Sequence, residues 1–138
     1  MRTRNLQKSK TELYLPLHHI KAGFPNPADE YLESSLDLNS YLIPHPASTY
    51  ILRVSGDSMV DVGIYEGDLL IVDRAIDPRN GKIIVAYLDD SFTVKIFEKK
   101  DQSIYLVPAN KKYSRIDVTN NPTFEIFGVV THCIHIFK

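Results

Sequence analysis

The 138-residue sequence predicts a mainly β fold: a compact body of short twisted strands, one or two short helices and an extended N-terminal arm. Three observations predict it. From Thr49 onward, β-branched and aromatic residues gather in short runs, as a pleated, half-buried surface favours. Turn-forming residues punctuate those runs at Glu66-Gly67-Asp68, Asn80-Gly81, Asp89-Asp90 and Asn120-Asn121-Pro122. Helical spacing of apolar residues is confined to residues 28–42.

Taken in order, residues 1–30 are mostly polar around the apolar island Leu13-Tyr14-Leu15-Pro16-Leu17. Pro16, Pro25 and Pro27 oppose a continuous helix, so this stretch is expected to be an extended arm. Over residues 28–42, Tyr31, Leu32, Leu36, Leu38, Tyr41 and Leu42 predict one or two short helices, which Pro44 and Pro46 end. Strands are predicted over 49–54, 69–73, 82–88, 92–98, 104–107 and 124–137, the last bent at Gly128. Asp89-Asp90 predicts a tight hairpin between two of them.

The length fits one domain with a real core, and 43% hydrophobic with 24% charged residues is ordinary for a soluble protein. The longest apolar runs, such as Leu69-Leu70-Ile71-Val72, are too short to span a bilayer. The N-terminus has no apolar core of a signal peptide, and a lone Cys133 fits a reducing cytoplasm. Residues 1–22 carry five basic residues against one acidic, a net +4; residues 23–138 carry 11 basic and 16 acidic, a net −5. A basic arm on an acidic body can lie along that body or meet an acidic partner. The body lacks the basic stripe of a direct DNA binder.

Two residues carry candidate chemistry. Ser58 lies in the turn Ser55-Gly56-Asp57-Ser58-Met59, where Gly56 lets the chain bend. The backbone N–H groups of Asp57 and Ser58 are candidates for an oxyanion hole. Val60 stands where Gly-x-Ser-x-Gly would need its second glycine, which disfavours an α/β-hydrolase elbow. Lys95 lies within the apolar run Phe92-Thr93-Val94-Lys95-Ile96-Phe97. A lysine at about 10.4 is neutral in fewer than about one molecule in a thousand at pH 7. To act as a base it needs that value brought down to roughly 8, which desolvation by Val94, Ile96 and Phe97 can supply. The bland alternatives are a turn serine and a lysine on an exposed strand face.

Other chemistries have weaker support. His18, His19 and His45 lie in or near the arm, and none has a triad motif. His132-Cys133-Ile134-His135 is not a zinc spacing, and no metal or cofactor is expected. An apolar strand makes Cys133 a poor nucleophile and a buried structural residue.

Ser55-Gly56-Asp57-Ser58-Met59 followed by Gly63-Ile64-Tyr65-Glu66-Gly67-Asp68-Leu69-Leu70-Ile71-Val72-Asp73 resembles the LexA/UmuD group of self-cleaving serine peptidases. Phe92-Thr93-Val94-Lys95 resembles the group's lysine strand, and Phe127-Gly128-Val129-Val130 its closing strand. The likeness covers roughly residues 20–138. The length, and the lack of a helix-turn-helix before residue 23, resemble the UmuD branch rather than the repressors.

The resemblance implies the compact LexA/UmuD-type peptidase fold, with Ser58 as nucleophile and Lys95 as general base. Ala22-Gly23-Phe24-Pro25 resembles the cleavage region, which makes Ala22-Gly23 the scissile bond, residues 1–22 the arm removed and residues 23–138 the peptidase domain. The best-known UmuD type has Cys before that glycine; Ala22 here matches the junction of LexA-like relatives. The resemblance further implies a cytoplasmic homodimer of the bacterial SOS response. A RecA–single-stranded DNA filament would stimulate its self-cleavage, and the trimmed dimer would join a UmuC-type polymerase in error-prone translesion synthesis. The rivals are a non-catalytic β-rich interaction module, a repressor fragment without its DNA-binding domain, and a signal-peptidase-like enzyme, whose membrane anchor is not evident.

Overall fold

The computed structural model describes residues 22 and 37–138, and the backbone of residues 3–5, 12–16 and 33–36. In chain order the strands are β1 Thr3–Asn5, β2 Glu12–Pro16, β3 Glu33–Asp37, β4 Thr49–Arg53, β5 Leu69–Asp73, β6 Ile83–Leu88, β7 Ser91–Lys100, β8 Ser103–Val107, β9 Ile116–Asp117 and β10 Glu125–Ile134. One short helix, α1 Leu38–Leu42, follows β3 directly. The chain divides into two units, Met1–Leu6 with His45–Lys138, and Gln7–Pro44.

The larger unit is an eight-stranded sheet in the order β1-β4-β5-β10-β6-β7-β8-β9, with every neighbouring pair antiparallel. Two of its seven pairings, β6–β7 and β7–β8, are short hairpins. At the β6–β7 turn, Asp89 and Asp90 take φ of 49° and 65°, the left-handed pair that matches strand twist in a two-residue hairpin. Aspartate tolerates that region better than most residues.

Alternation along the strands sorts the core into two clusters. Val85 joins Leu52, Met59, Leu70, Val72 and Val94 in one, whereas its neighbours Ile84 and Ala86 join Phe97, Leu106 and Val129 in the other. Both faces of the central strands are therefore covered, as their nearly unbroken apolar sequences require.

β10 joins the two halves, pairing with β6 through Glu125–Val129 and with β5 through Val129–Ile134. Its register against β6 shifts between Ile126 and Gly128, where the predicted bend falls. A Cβ on Gly128 would lie 2.8 Å from Val72 Cγ1 and 3.1 Å from the Asp73 carbonyl oxygen. Gly128→Ala is expected to destabilise the domain by about 1–3 kcal/mol, read as a lower denaturation midpoint in urea.

Two buried aspartates tie segments to this sheet. Asp73 accepts from Ser48 Oγ and Ala75 N, both at 2.8 Å, and meets His45 Nδ1 at 2.6 Å. Asp68 accepts from Tyr65 N at 2.8 Å and meets His135 Nδ1 at 2.5 Å. Burial pushes both carboxyls up, but these partners outweigh it and hold them below the usual carboxylate range.

The smaller unit departs from expectation. Residues 33–37, predicted to be helical, form β3 and pair antiparallel with β2, leaving only Leu38–Leu42 helical. Asp37 caps that helix by accepting from Asn39 N at 3.1 Å. In so short a stretch apolar spacing does not separate strand from helix, and the deciding partner lies far back in sequence. β1 and β2 likewise give regular structure to parts of the predicted arm. Among the described residues no helix is long and apolar enough to cross a membrane.

Candidate active site

Ser58 sits where the chain leaves β4 and turns back toward β5. Gly56 makes the turn at φ 91°, a region costly for a residue with a Cβ. Gly56 N donates to Glu66 Oε1 at 3.2 Å, and Val54 N to the Asp68 carbonyl at 2.8 Å, fastening the start of the turn to the loop before β5. Met59 then plugs the larger core cluster at 1% exposure. With Met59 anchored inward, Ser58 is left partly buried at the edge of the core.

A second element holds the turn from the other side. β8 stops pairing with β7 at Val107, opposite Ile96, so the sheet edge is open beside Lys95. The chain beyond β8 crosses to the serine turn, where Ala109 N donates to the Ser58 carbonyl at 2.7 Å. Asn110 Nδ2 donates to the Asp57 carbonyl at 2.8 Å, and the Tyr113 hydroxyl bonds Asp57 Oδ1.

Lys95 lies on β7 opposite Ile84. Its Nζ is 3.0 Å from Ser58 Oγ, 2.7 Å from Thr93 Oγ1 and 3.1 Å from the Val94 carbonyl oxygen. Burial lowers its pKa below the ordinary lysine value. The source of that desolvation differs from expectation. Val94 and Ile96 pack with the other face of β7, so Phe97 and the cross-strand Ile84, both in the second cluster, form the apolar wall on the lysine's side.

This geometry accommodates either protonation state. A charged lysine has three N–H donors for three acceptors. A neutral amine donates to Thr93 Oγ1 and the Val94 carbonyl and turns its lone pair to the Ser58 hydroxyl, which then donates. That is the arrangement a general base needs. Among the described residues no hydrogen bond engages the backbone N–H of Asp57 or Ser58, so both are available to an incoming oxyanion.

Of the predicted cleavage pair, Ala22 is an exposed bend, and Gly23 lies outside the described residues, as do His18 and His19. His45 and His135 pair with Asp73 and Asp68, and His132 Nδ1 meets Thr131 Oγ1 at 3.0 Å; among the described residues none bonds Ser58. Cys133, expected to be buried, is exposed, yet its thiol donates to Asp68 at 3.3 Å. Burial of the sulfur and the neighbouring carboxylate push its pKa up to about 12. Among the described residues no group of His, Cys, Asp and Glu is suited to a metal.

Sequence reasoning missed three supporting residues, Thr93, Asn110 and Tyr113. Thr93 had a readable signal, since residues two apart on a strand share a face. Asn110 and Tyr113 had none, because their target lies more than fifty positions away.

Residues 14–131 match the family model described as Peptidase S24-like. The chain is 46% identical over 123 residues to Protein ImpA of Salmonella typhimurium, covering 83% of this chain and 78% of that protein. It is 43% identical over 119 residues to Protein MucA of Escherichia coli, covering 86% and 81%. It is also 46% identical over 109 residues to the LexA repressor of Shewanella woodyi, covering 77% of this chain but only 53% of the repressor.

Proposed function

Since the chain belongs to the Peptidase S24-like family and is of the UmuD type, we propose that it is a serine–lysine peptidase that cuts itself between Ala22 and Gly23. The observation that carries this reading is the 3.0 Å approach of Lys95 Nζ to Ser58 Oγ beside an apolar wall. Lys95 takes the Ser58 proton as Oγ bonds to the Ala22 carbonyl carbon. The Asp57 and Ser58 N–H groups stabilise the resulting oxyanion. Collapse breaks the bond to Gly23, whose nitrogen receives the proton from Lys95. Water then releases the acyl group from Ser58.

The substrate is tethered, so the rate depends on how often the scissile segment docks rather than on encounter. The cut falls between β2 and β3, which pair over five residues, so the +4 arm is freed once that ladder and the β1–β4 pairing both open. A RecA–single-stranded DNA filament that binds the docked state more tightly than the undocked one would raise the rate without new chemistry. The product, residues 23–138 as a homodimer, would serve a UmuC-type translesion polymerase in SOS mutagenesis, in the cytoplasm.

Intact-mass and N-terminal analysis after alkaline incubation tests the bond. The expected product begins at Gly23; a different new N-terminus excludes Ala22-Gly23. Co-purification of the trimmed chain with a UmuC-type polymerase tests the partner. Its absence, with dimers intact, would favour a repressor fragment, the reading that 46% identity to a LexA repressor keeps in view.

A further inference from the structure

We infer that Asn110, assisted by Tyr113, is a positioning residue that locks the Asp57–Ser58 peptide so that its N–H faces the reacting carbonyl. This rests on the self-cleavage reading. In a planar trans peptide the C=O and N–H point in opposite directions. The Asp57 carbonyl and the Ser58 N–H belong to the same peptide, so fixing one aims the other. Asn110 Nδ2 fixes that carbonyl from 2.8 Å.

The asparagine is itself held. Its Oδ1 accepts from Lys112 N at 3.0 Å, which orients the amide so that Nδ2 faces Asp57. Ala109 N on the Ser58 carbonyl, and Asp61 N on the Ala109 carbonyl at 2.8 Å, clamp the same strip of backbone on both sides. Tyr113 adds a bond from its hydroxyl to the Asp57 carboxylate, which raises the phenol's pKa and so keeps the donating proton in place. Rotating this peptide takes only a change in Asp57 ψ and Ser58 φ, the two soft dihedrals beside it, and without the lock the N–H would leave the oxyanion position.

Asn110→Asp is the sharpest test. It keeps the size and the acceptor for Lys112 N but loses the donor to Asp57. With the full-length chain, the first-order rate of alkaline self-cleavage is measured across pH, beside wild type and Ser58→Ala. The plateau is expected to fall roughly 10–100-fold, less than or comparable with removal of an oxyanion donor. The bonds of Lys95 are untouched, and the added carboxylate can only favour its charged form, so the pH midpoint does not fall and the plateau reads the lock. The Ser58 amide resonance should move in ¹⁵N NMR while those of Leu70 and Val85 stay. Tyr113→Phe, a mild change at a half-exposed side chain, should lower the plateau about 2–5-fold and covers the case of a misfolded Asn110→Asp. Wild-type plateaus in the folded variants, or a lower plateau with an unmoved Ser58 amide, overturn the lock. Cleavage of Ser58→Ala at the wild-type rate instead overturns the self-cleavage reading, and the lock with it.

Discussion

Ser58→Ala is expected to yield a folded chain that stays full length under conditions that cut the wild type, and Lys95→Ala is expected to do the same. Loss of Ser58 removes the atom that forms the acyl bond. Loss of Lys95 removes the only amine within hydrogen-bond reach of that hydroxyl among the described residues, and a positioned general base is worth about 10²–10⁴ in rate. Because the two act as one unit, the double variant should be hardly slower than either single variant. Gel analysis of cleavage with and without an activated RecA filament reads the result. Efficient cutting by either variant would exclude the dyad. Both substitutions spare Met59 and the Phe97–Ile84 wall, so the variants should keep cooperative unfolding.

Much of the body was legible because its signals are local. The Asp89-Asp90 turn, the β-branched strands and the bend at Gly128 each depend on a few adjacent residues, and each has its counterpart in the structure. Residues 33–37 were misread because a five-residue strand is specified by its partner, here β2, as much as by its own pattern. The same rule separates the parts of the site. Ser58 and Lys95 announce themselves in short motifs, and the structure sets them 3.0 Å apart. The bonds that orient them are long-range. Asn110 reaches Asp57 across 53 positions, and Asp68 supports the turn while bonded to His135 across 67. Chain adjacency also misleads at Lys95, because pleating turns Val94 and Ile96 to the opposite face.

Lys95 also sets the second large effect, a rate that rises with pH. Burial lowers its pKa, so the neutral amine accumulates before an ordinary lysine would release its proton. Self-cleavage should climb about tenfold per pH unit while Lys95 is mostly charged, then level off below the unperturbed value of about 10.4. A flat profile would point to another base. The same shift fixes a cost in stability. Unfolded lysine holds its proton to about pH 10.4, whereas the folded lysine releases it earlier. In the window between those two values the unfolded state binds more protons, so stability rises with pH; below the window the full penalty of burying the charge is present. Lys95→Met keeps the unbranched stem and removes the charge. It should therefore abolish cleavage yet raise the melting temperature at pH 7 by a few degrees, for a gain of roughly 1 kcal/mol. Measured against a Ser58→Ala reference, which also stays uncut, that advantage should shrink as pH rises through the window. A variant less stable than the reference at pH 7, or an advantage that does not change with pH, would mean that the lysine is comfortable where it lies. A comfortable lysine is a charged one, and a charged lysine cannot take the proton from Ser58.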